Sequence, residues 1–263
     1  MVWHTAFGQA LHLSDATLDA VVAGDPARLL EAFPDGVRID DQRVGRVEGR
    51  AALEAYGRSS AAWMDERQGH ARLIASTAGA TRVVGEFEVE LAESGRKLGL
   101  PVAVVVEPSP VSRSVWIRIY HSQWPLLGHH VVRPPLLVRD PSVRESDVVG
   151  EYQRALAAGD AKVIVATFEP DGCFREPAGA AYRVCGTHDL TAFYTRFLGA
   201  GGGILLEHCT VTEDGVRTAL EFNAVRWGGV ELPPQAGVAV YERGRNGLIA
   251  EARVYDDVEG PVE

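Results

Sequence analysis

The sequence predicts an α+β protein of two tandem domains, each with a curved antiparallel sheet wrapped around three helices. A repeat supports the two domains. Arg-Ile-Tyr at 118–120 recurs as Arg-Val-Tyr at 253–255, and Val-Ala-Gly-Asp at 22–25 recurs as Ala-Ala-Gly-Asp at 157–160, both 135 residues later. A period of this length corresponds to a whole domain and not to a solenoid repeat. Within each repeat, helical patterns come first and strand patterns follow, which indicates an α+β layer.

The amino-acid composition restricts the classes of partner. With 263 residues, 46% of them hydrophobic, the chain can form two modest cores. A net charge of −10 argues against nucleic acid and anionic membrane surfaces as partners. No segment resembles a signal peptide or a membrane span. The odd number of cysteines, without a Cys-x-x-Cys, favours reduced thiols. We therefore expect a cytoplasmic protein that binds neither nucleic acid nor membranes.

Helical patterns open each repeat. In the second repeat, Val148, Tyr152 and Leu156 belong to one apolar stripe of a helix that ends at Gly159. Asp160 then caps a short second helix, because an aspartate at this position accepts hydrogen bonds from free backbone N–H groups. The remaining helices are predicted near 187–198 in this repeat and near 15–23, 26–33 and 50–63 in the first.

Strand patterns fill the rest of each repeat. A brief strand at 173–176 precedes the third helix of the second repeat, and the Asp-Gly pair at 214–215 marks a hairpin turn. The other strands are predicted near 206–213, 216–227, 236–242 and 248–257, and in the first repeat near 70–77, 81–91, 101–107 and 114–123. Prolines between the repeats indicate an extended linker. The predicted domains are 1–128 and 147–263, joined by a linker at 129–146.

The second repeat resembles a known family. The segments at 148–160 (VVGEYQRALAAGD) and 174–179 (FREPAG), with Gly186 before the third helix, are similar to the ketosteroid isomerase and SnoaL-like polyketide cyclase group. The resemblance covers nearly all of 147–258 and, more weakly, 14–128. It implies the cone-shaped nuclear-transport-factor-2-like fold, also described as cystatin-like, for both domains. That fold hosts isomerases, cyclases, dehydratases, epoxide hydrolases and proteins without chemistry, so it leaves the function open.

Alternation along the last strand of each repeat indicates one titratable group per domain. Ile117 and Ile119 precede His121 on one face of the first strand, and Val254 precedes Asp256 on the equivalent face of the second. Desolvation at the end of an apolar face would perturb the pKa of a titratable group, and groups with perturbed pKa values cluster at functional sites. The alternative is that both side chains are solvated because the strands are already leaving the sheet.

The resemblance implies roles for two further residues. Glu176 matches an aspartate that moves a proton between carbons, so it is a candidate general base, with Asp40 as its counterpart in the first repeat. Tyr152 matches a helical tyrosine that donates a hydrogen bond to a developing enolate oxygen. A carboxylate that caps the following turn and a plain core tyrosine are the alternatives. The isomerase oxyanion hole also contains a protonated aspartate, and the matching strand at 237–241 offers only aliphatic side chains at that point, which argues against steroid isomerisation.

The remaining candidates are polar or aromatic residues expected near the pocket. Asn223 shares a strand face with Trp227 and is a candidate inward amide, with local backbone hydrogen bonding as the alternative. Tyr182 and Tyr194 border the predicted mouth, where surface positions would explain them equally well. The predicted substrate-binding residues are Asn223, Tyr182, Tyr194, Trp227, His121 and Asp40. The histidines lack the spacing of metal ligands, so we predict neither a metal nor a cofactor.

These residues predict a cofactor-independent acid–base enzyme of the isomerase, cyclase or dehydratase type, acting on a small apolar carbonyl or polyketide-like compound. Glu176 would be the base, Tyr152 the hydrogen-bond donor and Asp256 a second acid. One alternative is a non-catalytic protein that binds a small ligand or acts as a scaffold. Another is an epoxide hydrolase or cyclase of the polyether type, which would need paired carboxylates such as Glu176 and Glu207.

The outer face of each predicted sheet carries a recurring polar stripe, consisting of Arg118, Tyr120, Arg253 and Tyr255. Isolated members of the resembling fold often pair through this face. The resemblance therefore implies an intrachain pseudo-dimer of the two domains, and it leaves a further homodimer open. A solvated outer face is the alternative.

Overall fold

The structure is a computed structural model that describes residues 15–93, 95–109, 114–145, 147–199 and 201–260. These residues fall into two compact units, the first ending at His121 and the second beginning at Ser122. Each unit combines helices with one sheet, so the chain is an α+β protein with two units in tandem. Within the described ranges, no helix is long and apolar enough to cross a membrane.

The first unit interleaves helices with a hairpin before the longer strands. Its elements are α1 (Asp15–Ala23), α2 (Pro26–Ala32), β1 (Val37–Asp41), β2 (Gly45–Glu48), α3 (Arg50–Glu66), β3 (His70–Ala78), β4 (Val83–Glu93), β5 (Arg96–Pro108) and β6 (Val115–Tyr120). The sheet order is β2-β1-β6-β5-β4-β3, and β1 runs parallel to β6 while the other neighbours are antiparallel. The expectation of a purely antiparallel sheet is therefore wrong at this pair, because β1 enters the sheet before α3 and meets β6 only after a crossover.

The second unit repeats this plan. Its elements are α4 (Trp124–Leu127), α5 (Asp147–Ala158), α6 (Ala161–Ala166), β7 (Phe168–Arg175), a 3₁₀ turn (Ala180–Tyr182), β8 (Arg183–Cys185), α7 (Thr187–Phe197), β9 (Ile204–Glu213), β10 (Arg217–Trp227), β11 (Val230–Arg243) and β12 (Ile249–Asp256). The sheet order is β8-β7-β12-β11-β10-β9, with β7 parallel to β12. The order matches that of the first unit strand for strand, which confirms the tandem arrangement.

Helix α5 packs its apolar stripe against the sheet of the second unit. Tyr152 and Leu156 belong to the same buried core as Leu220 of β10. The helix ends at Gly159, whose φ of +74° is the left-handed conformation that favours glycine. Gly203 lies against this end: a Cβ there would be 2.0 Å from the carbonyl oxygen of Leu156, so a larger residue would push the helix off the strand that follows.

The predicted extended linker packs along the second unit. Residues 129–145 contain neither helix nor strand. The backbone N–H of Asp140 donates to the carbonyl oxygen of His208 on β9 at 3.0 Å, and that of Ala236 on β11 donates to the carbonyl oxygen of Arg133 at 2.9 Å. These hydrogen bonds hold the segment beside the sheet.

A disulfide joins the first two strands of the second unit. Cys173 and Cys185 are direct partners in the β7–β8 pair, with their Cα atoms 4.1 Å apart, and their sulfurs are bonded. The expectation of reduced thiols is therefore wrong for these two, whereas the buried Cys209 keeps its thiol. Because the two cysteines lie directly opposite each other on neighbouring strands, their Cβ atoms are close enough for the two sulfurs to bond. The bond also removes the support that reduced thiols gave to a cytoplasmic location.

Candidate functional site

A cavity of about 190 Å³ lies in the second unit, enclosed by α5, α7 and the sheet. Its apolar lining consists of Leu156, Phe174, Pro177, Phe197, Ile204, Leu206, Phe222, Ala224, Trp227, Ala239, Val254 and Val258. Its polar lining consists of His130, Tyr152, Glu176, Tyr194, Tyr241 and Asp256. An apolar cavity with a few convergent polar groups is the usual form of a small-molecule site.

Strand alternation places the carboxyl groups in this cavity. On β12, Val254 and Asp256 share the face that lines it, as the sequence pattern indicates. Beyond β7, Phe174 and Glu176 share the lining face, because the residue before Pro177 stays extended and continues the alternation of the strand.

Glu176 is in an environment suited to a base. Burial raises the pKa of its carboxyl above the usual 4.5, and the positive charge of Arg196 on α7 partly opposes that shift. Its backbone N–H donates to the carbonyl oxygen of Tyr182 at 3.2 Å, which closes the turn after β7 and fixes the main chain. A carboxylate with a raised pKa in an apolar cavity is a stronger proton acceptor than one in water.

The hydroxyl groups of Tyr152 and Tyr194 form the neutral polar part of the cavity. Their oxygens are 3.0 Å apart, and either can be the donor. Burial raises the pKa of Tyr152 to about 12, so its hydroxyl is protonated at neutral pH. Because one hydroxyl donates to the other, the second keeps a proton for a ligand. Tyr241 lies beside them, and its oxygen accepts a hydrogen bond from Gln153 Nε2 at 2.7 Å.

Asp256 is the second carboxyl group of the cavity. Burial raises its pKa to about 7, although the backbone N–H of Val258 donates to it and lowers the pKa. The negative charges of Asp257 and Glu176 raise it further. Near neutral pH a large share of Asp256 is therefore a neutral acid that can donate a hydrogen bond or a proton.

A β-bulge on β10 lies between two of the predicted site residues, Asn223 and Trp227. The strand shifts register between Ala224 and Arg226, so Trp227 lines the cavity together with Ala224. Asn223 lies on the opposite face, where its Nδ2 donates to the carbonyl oxygen of Leu137 at 3.0 Å. The expectation that Asn223 points inward with Trp227 is wrong because the extra residue of the bulge shifts the alternation.

Tyr182 and Tyr194 have different positions. Tyr194 lines the cavity and is fully buried on α7. Tyr182 ends the 3₁₀ turn after Glu176, is 47% exposed and does not line the cavity. Tyr182 therefore contributes its backbone carbonyl to the turn. Its side chain lies outside the cavity, so it is not where a substrate-binding residue was expected.

In the first unit, the cavity is much smaller. It measures about 50 Å³ and is lined by His121 and Asp41, among others, but not by Asp40. The Asp40 carboxylate accepts hydrogen bonds from the side chains of Arg38, Arg46 and Trp116. Burial alone would raise the pKa of Asp40, but these hydrogen bonds outweigh it and lower the pKa. The prediction of Asp40 as a substrate-binding residue is corrected, because its carboxylate is already engaged.

The register of the sheets also corrects the counterpart of Glu176. In the first unit, Asp40 lies opposite Arg118, and in the second the residue before Glu176 lies opposite Arg253. The two arginines are equivalent positions of the repeat, so Glu176 corresponds to Asp41. A slip of one residue in a strand moves a side chain to the other face, which explains why Asp40 points away from the cavity.

Two polar residues of the cavity lining, Tyr241 and His130, were not predicted as site residues. Tyr241 shares the inward face of β11 with Ala239, so alternation could have identified it had the strand been read beyond its aliphatic part. His130 comes from the segment before the domain and carries no sequence pattern that indicates a pocket position. Among the described residues, no group of three or more histidine, cysteine, aspartate or glutamate side chains could hold a metal ion.

The second unit is an α+β domain with a largely apolar cavity between its helices and its sheet. Residues 149–252 match the family model of the SnoaL-like domain. The second unit is therefore similar to SnoaL-like domains over these residues, which confirms the resemblance found in the sequence. A comparison with curated proteins finds no match.

Solved structures similar to this chain include proteins of three descriptions. An NTF2-like protein of unknown function from Cytophaga hutchinsonii shares 17% identity over 44% of this chain and 94% of its own, with a TM-score of 0.35. A candidate polyketide cyclase from Sinorhizobium meliloti shares 19% identity over 42% and 94%, with a TM-score of 0.35. SalBIII, an epoxide hydrolase/cyclase-like enzyme of pyran ring formation in the polyether salinomycin, shares 19% over 41% and 87%, with a TM-score of 0.35. At these values the similarity carries no argument about activity.

Proposed function

We propose that the second unit is a cofactor-independent acid–base enzyme that acts on a small, largely apolar carbonyl compound, as an isomerase, cyclase or dehydratase. One observation carries the proposal: Glu176 and Asp256, two carboxyl groups with raised pKa values, line the same apolar cavity as the Tyr152–Tyr194 pair. Titratable groups with perturbed pKa values that converge in a cavity are typical of active sites.

The chemistry divides between a base and hydrogen-bond donors. The ionised Glu176 would remove a proton from the carbon beside the carbonyl, and the electron pair would move onto the carbonyl oxygen. The free hydroxyl proton of the Tyr152–Tyr194 pair, or the acid form of Asp256, would stabilise that oxygen. Glu176 would then return the proton to a different carbon. In a cyclase, the enolate carbon would instead attack a second carbonyl carbon of the same molecule, and the π pair of that carbonyl would move to its oxygen, which takes a proton from the acid form of Asp256.

The lining also restricts the ligand. Most side chains that line the cavity are aliphatic or aromatic, and the tyrosine hydroxyls are neutral. Because Glu176 and Asp256 are both acidic, an anionic ligand would be repelled, whereas a neutral carbonyl or phenol would meet hydrogen-bond donors. The proposed substrate class is therefore a neutral compound with one polar oxygen.

Filling the cavity should weaken ligand binding. Ala239 lines it, and the Ala239→Leu variant would occupy space that a ligand needs. We expect binding of 2-naphthol, a neutral fluorescent phenol, to weaken at least about tenfold, measured by fluorescence titration of the full chain. The matched control is Ala192→Leu, the same substitution at an exposed position of α7, which should leave the affinity within about twofold. Equal affinities of the two variants would place the binding site elsewhere.

Epoxide opening is the second candidate, because two carboxyl groups lie in one cavity. The pair would be Glu176, which would activate water, and Asp256, whose acid form would protonate the epoxide oxygen. Glu207 does not line the cavity and lies 3.7 Å from Arg139. Glu176 and Glu207 therefore do not form a carboxylate pair in this cavity. Formation of a diol from a small apolar epoxide such as styrene oxide, with loss of activity in Asp256→Asn, would favour this candidate over carbonyl chemistry.

Three expectations remain predictions. They are the cytoplasmic location, the pairing of the two domains through their outer sheet faces, and a further homodimer. A non-catalytic role as a ligand-binding or scaffold protein remains the competing proposal. It shares the cavity with the enzyme hypothesis and differs in what Glu176 does.

A further inference from the structure

A histidine from outside the domain core contributes to the cavity. His130 lies in the segment that precedes α5 and lines the cavity together with Asp256. Its Nδ1 is 2.8 Å from Oδ1 of Asp257, and its ring lies against that of Trp124 with the centroids 5.0 Å apart. With Nδ1 bound to the aspartate, the other ring nitrogen, Nε2, is the one available to a ligand.

Asp257 is built as an anchor for this histidine. Its side chain is fully buried, and its carboxylate accepts hydrogen bonds from the Ser122 hydroxyl at 2.7 Å, the Gln123 N–H at 3.0 Å and the Val131 N–H at 2.8 Å. Burial alone would raise the pKa of Asp257, but the hydrogen bonds from His130 and its other donors outweigh it and lower the pKa. The neighbouring carboxyls on β12 therefore differ: Asp257 is an ionised anchor, whereas Asp256 is a cavity acid.

The charges around His130 favour the imidazolium form. The hydrogen bond from its ring to Asp257 raises the pKa of His130 above 6.5, burial opposes this, and the negative charges of Asp257, Asp256 and Glu259 raise it further. In the imidazolium form, which these charges favour, Nε2 carries a proton beside the cavity that Asp256 also lines.

We propose that His130 is a catalytic general acid of this cavity and that Asp257 is its positioning residue. The inference rests on the proposed acid–base function and adds the group that protonates the oxygen. As Glu176 removes the C–H proton, the electron pair forms a carbon–carbon double bond and the carbonyl π pair moves onto oxygen. Nε2–H then donates its proton to that oxygen, which leaves a neutral imidazole and an enol. The enol returns this proton to Nε2 when Glu176 protonates the second carbon.

The first test follows proton exchange. The α-protons of 2-tetralone, a small neutral ketone, would be exchanged into D2O and followed by NMR as a function of pH. We expect His130→Gln to lower the rate at least about tenfold and to remove the fall in rate at high pH. The matched control, His129→Gln, changes the adjacent exposed histidine, which does not line the cavity, and should keep both rate and profile. Asp256→Asn should lower the rate but keep the fall at high pH, which assigns that limb to His130.

The second test needs no turnover. Bound 4-nitrophenol absorbs visible light only as the phenolate, and a nearby imidazolium should favour that form. We expect the pKa of the bound phenol to be about one unit lower in the unsubstituted protein and His129→Gln than in His130→Gln. Equal values in all three would overturn the assignment of His130.

The two proposals fail in different ways. If Glu176→Gln exchanges 2-tetralone as fast as the unsubstituted protein, the proposed base is wrong. If Glu176→Gln loses the exchange while His130→Gln and His129→Gln retain it equally, only the inference about His130 is wrong. Failure of the unsubstituted protein to bind 4-nitrophenol would contradict both.

Discussion

Replacing Glu176 with glutamine is expected to lower the rate of α-proton exchange of 2-tetralone at least about 100-fold, while the affinity for 2-naphthol changes by no more than about threefold. The glutamine keeps the size and hydrogen-bonding capacity of the side chain but cannot accept a proton from carbon. Because the carboxylate repels anions and contacts neutral ligands weakly, its loss should cost turnover and not binding. The measurement is NMR-detected exchange in D2O with saturating ketone.

A matched control is available on β9. Glu207 is a partly exposed glutamate that does not line the cavity, so Glu207→Gln should leave both the exchange rate and the affinity unchanged. If Glu176→Gln retains the exchange rate of the unsubstituted protein, the second unit uses another base or none. A protein that binds 2-naphthol but exchanges no protons even without substitution would favour the non-catalytic role.

The second large effect concerns stability against pH. The pKa of Asp256 is 3.8 in the unfolded chain and about 7 in the folded protein, so the folded state holds the proton more tightly. The contribution of Asp256 to stability is therefore fully present below about pH 4 and is lost as the pH rises to about 7. Three pKa units correspond to about 4 kcal/mol, and exposure through the cavity reduces this to about 2–4 kcal/mol.

Replacement of Asp256 by asparagine should remove this loss. We expect the free energy of unfolding of Asp256→Asn to exceed that of the unsubstituted protein by about 2–4 kcal/mol at pH 8, and the two to be similar at pH 4. Urea unfolding at a series of pH values measures the difference, in which the other titrating groups cancel.

The stability contribution of Asp257 changes with pH in the opposite direction to that of Asp256. The pKa of Asp257 is lowered, because its hydrogen bonds outweigh burial, so its contribution is present above about pH 4 and is lost as the pH falls. Asp257→Asn should therefore destabilise the protein most at neutral pH.

A difference between Asp256→Asn and the unsubstituted protein that does not vary with pH would show that Asp256 is solvated.

Local patterns predicted most of the fold. The repeat of 135 residues predicts two equivalent domains, and strands β9 to β12 agree with the predicted ones to within a few residues, apart from the early start of β11. The repeated segments and the strands are each recognised from residues close together in the sequence, where periodicity and turn residues are informative. The alternation along β12 placed Asp256 on the inward face for the same reason.

Contacts between residues far apart in the sequence were not predicted. The parallel β1–β6 pair and the partnership of β7 with β8 depend on which strands meet, and no periodicity encodes that choice. The disulfide of Cys173 with Cys185 depends on the pairing of β7 with β8, so it was not predicted either. Asp257, 127 residues later in the sequence, binds the ring of His130 beside the cavity, and no local pattern indicates that contact.

Errors of a single residue had the largest consequences for the site. The bulge between Ala224 and Arg226 reverses the face of Asn223 relative to Trp227. The register of β1 exchanges the roles of Asp40 and Asp41. Alternation has a period of two, so an error of one residue moves a candidate from the cavity to the outer face.

The central claim is that the Glu176 carboxyl group faces an apolar, ligand-binding cavity and not bulk water. A ¹³C NMR pH titration of the glutamate carboxyls, assigned by comparison with Glu176→Gln, tests it directly with and without 2-naphthol. The account predicts that Glu176 titrates above the usual 4.5 and that bound 2-naphthol changes its titration, because the ligand displaces water from around the carboxyl. A carboxyl that titrates near 4.5 and ignores the ligand would contradict the account.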